Sequence, residues 1–327
     1  MKSSEITATI FIPTWFGDKY LDELLASVFS QKCDFLFEVL IYDSCSKDNT
    51  LAIIKKYINK HNNLRFKSIN KKNFNHGLTR QRAALDAYGK YIVYLTQDAI
   101  PANNMWLSEI IKPFKLNKKI VAVLGSQQPR NTAPPFLKRE INSVFNNLGN
   151  DLSTSLYYKD KKFADSLEFL GFYSDVNSAT IKNFLLNTIP YRKADYAEDQ
   201  IFGREIIQAG YIKAYNPRAK VIHSNDFTAS EYTKRVFDET IALKRIGPIL
   251  STLKLGYVLK DLVKNIIIDS ITIIINPEYN FKNKLHWLIF NPIYLINKWI
   301  GYYQAMRTTL GDSQKIKKYS LEKNKNN

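Results

Sequence analysis

Tyr91-Ile92-Val93-Tyr94-Leu95-Thr96-Gln97-Asp98-Ala99 begins as an unbroken apolar run and ends in a carboxylate. Its first five residues leave no polar face, which predicts a strand buried on both sides of a parallel sheet. Asp98 then falls just past the carboxyl end of that strand, where open α/β sheets bind their ligands. A carboxylate there is costly to leave unpaired, and a metal ion or a basic residue relieves the cost. The plain alternatives are a helix N-cap ahead of Met105-Trp106-Leu107, or solvation in a loop.

Other segments repeat the theme. Thr7–Thr14 reads as a first buried strand ended by Pro13, with Asp18 capping a helix that runs to about Ser30. Phe37–Tyr42 is a second strand, again ending in an acid, Asp43, before the turn-forming Ser44–Thr50. A helix over Leu51–Asn59 and a strand over Leu64–Ile69 follow. The polar loop Asn73–Arg82 leads into a helix closed by Gly89. Met105–Phe114 reads as a helix and Ile120–Leu124 as a strand. This alternation predicts a parallel, doubly wound sheet with Asp43, the Asn75–Arg82 loop and Asp98 along one edge. Residues 126–175, rich in Pro, Asn and Ser, read as a partly helical insertion over the site. Val176–Ile181 restores order, Ile201–Ala209 is a helix opened by Ala197-Glu198-Asp199-Gln200, and Ala219–His223 is a last strand. From Glu231 to about Leu310 the pattern is helical and amphipathic; beyond it the lysine-rich tail is expected to be disordered.

At 327 residues the chain can hold one large α/β domain and an accessory region. The outlying bulk property is charge: 47 basic against 30 acidic residues give +17. Residues 244–327 carry 14 Lys/Arg and 5 Asp/Glu, so over half of the excess lies in the last quarter. That suits an anionic membrane surface or another polyanion, or simply a solvated basic face. Two cysteines, Cys33 and Cys45, without metal-type spacing point to a reducing compartment. The polar opening residues predict no secretory signal. The apolar runs 266–275 and 285–300 are interrupted by Asp269, Pro292 and Lys298. Neither supplies the roughly 20 clean residues of a spanning helix, so the expectation is a cytoplasmic protein, at most peripheral to the membrane.

Gly-x-Gly-x-x-Gly, the Walker loop and Gly-x-Ser-x-Gly are all absent. What remains is a set of carboxylates at strand and helix boundaries, His223 and several arginines. It suits a diphosphate held by a divalent cation, with Asp98 on the metal and Arg80 or Arg82 taking phosphate charge. Glu198-Asp199 at a helix start is either dipole complementarity or a general base for an acceptor hydroxyl. His223 is a metal ligand, a phosphate contact or a satisfied core histidine.

In order, strand–Pro-Thr, Tyr-Asp-Ser-Cys-Ser-Lys-Asp-Asn-Thr, Asn-His-Gly-Leu-Thr-Arg, Leu-Thr-Gln-Asp-Ala-Ile-Pro and Ala-Glu-Asp-Gln resemble a family 2 glycosyltransferase of GT-A fold. The Asn-His-Gly-x-Thr-Arg and Thr-Gln-Asp-Ala pieces resemble its bacterial rhamnosyltransferase branch. The likeness covers roughly residues 7–227; Tyr232–Asp238 and Trp299–Tyr302 resemble that branch's C-terminal extension. The resemblance implies a GT-A domain over 1–230, an acceptor region at 126–175, a helical region at 231–311 and a basic tail at 312–327. Pro13, Thr14, Asp43, Asn75, Gly77, Arg80 and Gln97 would line the donor, Asp43 reading its base and Asn75 and Arg80 facing its diphosphate. Asp98 would be the second acid of an Asp-x-Asp metal motif, with His223 a late ligand for Mg2+ or Mn2+. Thr96 stands where many members carry the first acid. Asp199 would be the catalytic base of an inverting transfer, with Glu198 beside it. The implied donor is dTDP-rhamnose and the implied acceptor a lipid-linked glycan at the inner face of the bacterial plasma membrane. Rival expectations are a uridine nucleotide sugar in the same family, an inactive glycan-binding scaffold, and nucleic-acid binding on charge alone.

Overall fold

A computed structural model of the protein describes residues 6–150, 153–160, 166–194, 196–247 and 255–325. The polar opening at 1–5, parts of the expected insertion at 151–152 and 161–165, residues 248–254 and the last two residues of the tail lie outside the described residues. The chain divides into two compact units, residues 1–128 with 142–224, and residues 129–141 with 225–327.

The first unit opens with strand β1 (Ile6–Thr14), helix α1 (Asp18–Phe29), β2 (Leu36–Asp43), α2 (Thr50–Ile58), β3 (Leu64–Ser68), α3 (His76–Asp86) and β4 (Tyr91–Leu95). Every residue of β4 is buried, as its lack of a polar face requires. α1 places Leu21, Leu24, Leu25 and Val28 in the core at the three- and four-residue spacing of an amphipathic helix. Asp18, expected as its cap, is its first residue, and Gly17 holds the cap position. β1 pairs parallel with β2 and with β4, and β2 with β3. This half is the doubly wound arrangement expected from the alternation.

The chain continues with β5 (Ile100–Pro101), α4 (Trp106–Ile111), β6 (Ile120–Gln128), α5 (Pro135–Asn147), β7 (Ser155–Tyr157), α6 (Leu167–Leu170), β8 (Asn177–Ile181), α7 (Lys182–Asn187), α8 (Glu198–Gln208) and β9 (Ile212–Ile222). β8 lies between β4 and β6 and runs antiparallel to both. β6 pairs parallel with β9, whose other edge takes β5 and β7 antiparallel. The sheet is therefore mixed beyond β4. Because β4 and β6 both oppose β8, they share a direction. One edge then collects the carboxyl ends of β1, β2, β4, β6 and β9 together with the start of β8.

The second unit contains α9 (Ala229–Ile246), α10 (Leu255–Ile275), α11 (Phe281–Met306), α12 (Ser313–Tyr319) and α13 (Leu321–Lys325). Thr228 and Glu231 form a reciprocal capping box at the start of α9. α9 lies close against α11 at Gly301, where a Cβ would meet the Thr233 carbonyl oxygen at 2.3 Å. Lys244 donates from Nζ to the carbonyls of Ala305, Met306 and Thr308, closing the C-terminal end of α11. Pro292 sits inside α11 without ending it. The expectation of a disordered tail is corrected: residues 313–325 form two short helices. Ile316 packs with Phe237, Ile241 and Ala305, and Asp238 accepts the backbone N–H groups of Leu321 and Glu322 at 2.8 and 3.0 Å. Composition missed this because the few apolar residues of the tail fall where α9 offers a partner. Among the described residues no helix is long and apolar enough to cross a membrane.

Candidate active site

Asp43 ends β2 with no exposed surface. Its Oδ1 accepts from the hydroxyls of Thr14 (3.0 Å) and Ser46 (2.6 Å), and its Oδ2 from the Ser46 N–H (2.9 Å). A buried carboxylate needs such partners, and they leave it tying the end of β1 to the turn after β2. Pro13, one residue earlier in β1, lies opposite Tyr42 in register. The loop so organised faces outward through Phe16, 48% exposed with φ 49°, and exposed Cys45 with φ 59°. Both are left-handed conformations that non-glycine residues hold only under external constraint. At Phe16, Ser46 Oγ and Thr50 Oγ1 supply that constraint by accepting the N–H groups of Phe16 and Gly17 at 2.9 and 2.8 Å.

Asp98 occupies the turn after β4, and α4 starts only at Trp106, so it caps no helix. His223 follows β9, is 7% exposed, and points Nε2 at Asp98 Oδ2 across 3.4 Å. Its Nδ1 lies 3.1 Å from Gln127 Oε1. An amide oxygen only accepts, so Nδ1–H donates to Gln127 and Nε2 faces the Asp98 carboxylate. Nε2 and a carboxylate oxygen at this distance need a proton or a cation between them, and a divalent cation is one group the pair would fit. In the same turn Thr96 Oγ1 is buried without a hydrogen-bond partner. Among the described residues no group of three or more His, Cys, Asp or Glu gathers for a metal. Asp98 and His223 are a two-donor set of the kind that leaves most of the coordination sphere to substrate phosphates and water. Gln97, just before Asp98, is committed elsewhere. Its Oε1 accepts the Trp15 N–H at 2.8 Å and its Nε2 donates to the Trp15 carbonyl at 3.0 Å. The amide thereby locks the loop after β1.

The third cluster is built on Arg80, whose side chain is 7% exposed. Its Nε lies 3.0 Å from Asp175 Oδ2 and its Nη1 2.7 Å from Glu198 Oε1, with the His76 carbonyl accepting from Nη1 at 3.2 Å. A buried guanidinium is tolerated only when paired in this way. Burial alone would lower its pKa, but Glu198 and then Asp175 raise it, so Arg80 stays charged. Asp175 also accepts the hydroxyls of Ser178 (2.7 Å) and Tyr191 (2.9 Å) on Oδ1. Burial outweighs Arg80 here, and with Glu198 nearby the carboxyl is pushed up to about 6. Ala197, left-handed at φ 59°, turns the chain into α8 so that Glu198 and Asp199 open the helix. Asp199 is half-buried, accepting the Asp175 N–H at 3.2 Å and the Gln200 N–H at 2.8 Å. Burial, then Glu198 and Asp175, hold its pKa well above the ordinary carboxylate value. Gln127 Nε2 donates to Ser174 Oγ at 3.2 Å. A chain of contacts, Asp98–His223–Gln127–Ser174, thus ends next to Asp175, whose N–H holds Asp199.

Residues 9–176, over half of the chain, match the family model described as Glycosyl transferase family 2. The chain belongs to the family 2 glycosyltransferases. O-antigen chain rhamnosyltransferase WbaN of Salmonella anatum is 30% identical to it over 245 residues, 70% of each chain. O-antigen chain rhamnosyltransferase RfbN of Salmonella typhimurium is 30% identical over 247 residues, again 70% of each. Among solved structures, mannosyltransferase PcManGT from Pyrobaculum calidifontis in complex with GDP-Man and Mn2+ aligns with TM-score 0.56 at 14% identity, over 91% of this chain and 87% of its own. S. aureus TarS 1–349 in complex with UDP-GlcNAc aligns at 0.54 and 17%, over 96% and 79%. At such identities these two establish the GT-A fold. Family membership makes the chain an enzyme, and the scaffold reading is set aside.

Within this transferase the Asn75–Arg80 motif is tied to its own helix and to the segment ahead of α8. Asn75 Oδ1 caps α3 by accepting the Leu78 N–H at 3.1 Å and also accepts the Ala194 N–H at 3.3 Å. A Cβ at Gly77 would lie 1.9 Å from the Arg192 carbonyl oxygen. Arg80 holds Glu198. The motif thus clamps α3 against the segment that delivers Glu198 and Asp199. Gly77→Ala is expected to destabilise the fold by about 1–3 kcal/mol, as overpacking against fixed backbone does, read as a lower urea midpoint. An unchanged midpoint would show that the 190–194 segment yields freely. Sequence reasoning missed Asp175, Tyr191 and Gln127. Asp175 carried the same signal as Asp98, an acid bordering a buried strand, but at the strand's start.

Proposed function

We propose that the transferase moves L-rhamnose from dTDP-rhamnose onto an acceptor hydroxyl with inversion, in assembly of a bacterial surface glycan. The observation that carries the chemistry is the placement of Asp199, a half-buried carboxylate at the start of α8 held by the N–H groups of Asp175 and Gln200, where burial and the neighbouring acids raise its pKa. Asp199 takes the acceptor proton while the acceptor oxygen bonds to the anomeric carbon and the glycosidic electron pair leaves with the diphosphate. Glu198, fixed on Arg80, and Asp175, holding Asp199 through its N–H, keep the base oriented. Asp98 and His223 would hold Mg2+ or Mn2+, which when bound neutralises charge on the departing diphosphate. Gln127 keeps the His223 lone pair aimed at that position. The loops after β1 and β2, carrying Trp15, Phe16 and Cys45, suit the donor's nucleoside.

The rhamnosyl choice is supported by the two O-antigen relatives, each matched over 70% of its length. A lipid-linked or polymeric glycan acceptor, met at the inner face of the plasma membrane, follows the same reading. A uridine donor is the second reading. Poly(ribitol-phosphate) beta-N-acetylglucosaminyltransferase TarS of Staphylococcus aureus is 36% identical over 93 residues, though these are 16% of its length.

The test is calorimetric binding of dTDP-rhamnose, UDP-GlcNAc and a guanosine donor, with and without Mn2+, to native protein and Asp98→Ala. The expected result is metal-dependent binding of dTDP-rhamnose, weakened by at least about tenfold in the variant, as losing a principal ligand implies. Preference for UDP-GlcNAc would keep the mechanism and discard rhamnose. Metal-independent binding, unchanged in Asp98→Ala, would remove Asp98 from the metal.

A further inference from the structure

Helices α10 and α11 lie antiparallel within the second unit and leave one face uncovered. On α10, Leu259, Val263, Ile267, Ile271 and Ile274 recur at steps of four and three residues, each more than half exposed. On α11, Phe281, Leu285, Ile289, Ile293, Ile296 and Ile300 do the same, from 39% exposed at Ile293 to 81% at Phe281. That spacing puts each set on a single stripe. The inward faces are ordered differently: Asp269 and Ile273 of α10 and Asn291 and Leu295 of α11 are buried. Asp269 pairs with Arg139 at 2.6 Å and accepts from Asn291 at 3.0 Å. An apolar stripe of this extent on two neighbouring helices marks an interaction surface.

We propose that this hairpin is the element by which the transferase lies on an anionic lipid bilayer, its stripe in the acyl boundary and its axes in the membrane plane. The inference rests on the lipid-linked-acceptor reading above and names the face that meets the lipid. Charge selects the occupant. Lys260 and Lys264 stand exposed within the α10 stripe and, with neighbouring apolar residues, line a shallow groove. The two carboxylates of α10 are turned elsewhere, Asp269 to Arg139 and Asp261 to the Asn265 amide at 2.9 Å. At a bilayer the lysine stems stay in the apolar layer while their ammonium groups reach lipid phosphates. A second copy of the chain would bury the same lysines against a face with no carboxylate in its stripe. Neither helix is apolar enough to cross, so an in-plane position satisfies both the stripe and the lysines.

Flotation of the full chain with phosphatidylcholine vesicles, with and without phosphatidylglycerol, tests this. Native protein is expected to float with the anionic vesicles and to lose most of that binding at high salt. Lys260→Gln with Lys264→Gln removes the preference for phosphatidylglycerol. Ile267→Glu with Ile271→Glu lowers binding at least about tenfold; both positions are exposed, and an unchanged circular dichroism melt certifies the fold. Donor binding by these variants stays native, which separates this outcome from failure of the transferase reading. Equal binding by native protein and the isoleucine variant, or no binding to either vesicle, overturns the proposal. So does a concentration-dependent dimer that the isoleucine variant abolishes, which would assign the face to a second copy.

Discussion

Asp199→Asn is expected to reduce the rate of sugar transfer by about 10²–10⁴-fold, the usual contribution of a positioned base, while donor affinity stays close to native. The amide keeps the shape of the side chain and one oxygen to accept the Asp175 or Gln200 N–H, but it cannot take a proton. Single-turnover product formation and calorimetric donor binding, measured together, separate the two effects. Near-native turnover in the variant would remove Asp199 as the base. The pH profile carries the same information. Asp199 is faced by Arg80 from α3, Asp175 ahead of β8, Glu198 in α8 and the phenol of Tyr173, while the phenols of Tyr94 and Tyr191 face Asp175. Burial and the neighbouring acids raise both Asp175 and Asp199, so the acid limb of transfer lies above the ordinary aspartate range and belongs to the cluster. Stability runs the other way. Between the unfolded aspartate value of 3.8 and about 6 the folded state holds the extra proton on Asp175. The cluster's contribution therefore falls as pH rises through that window.

How much of this could be read beforehand depended on which physical signal each residue carried. β1, β2 and β4 announced themselves as apolar runs ending in Pro-Thr, Asp43 and Thr-Gln-Asp, and the parallel half of the sheet followed. β8 was legible as a return of order but not as a reversed strand, because strand direction is set by pairing with β4 and β6 and leaves no trace in Asn177–Ile181. That reversal hid Asp175: an acid before a parallel strand would lie at the far edge, whereas before β8 it lies beside Asp199. Side-chain commitments were equally invisible. Arg80 and Gln97 carried the residue types expected to touch a diphosphate donor, and only packing reveals that Glu198, Asp175 and the Trp15 backbone already claim them. Gln127 had no signal, since an amide gains meaning here only from the histidine it orients.

Replacing Arg80 with alanine is expected to lower stability by about 3–5 kcal/mol, the cost of stripping one partner from a buried ion pair. The guanidinium is the cation held between Asp175 and Glu198, whose side chains are 0% and 5% exposed, and without it two acids face each other in a site that excludes water. They respond by binding protons, so the acid limb of any remaining activity moves to higher pH. Arg80→Lys recovers little, because one ammonium cannot reproduce contacts made separately through Nε and Nη1. A phosphate-binding arginine behaves differently: its loss leaves the melt unchanged and weakens the donor. Urea melts beside calorimetric donor binding decide between the two roles. The clamp makes one further demand. Arg80→Ala combined with Asp175→Asn and Glu198→Gln removes the charge imbalance along with the cation, and is expected to be more stable than Arg80→Ala alone. If the triple variant is less stable, the loss in Arg80→Ala comes from packing volume and not from stranded carboxylates.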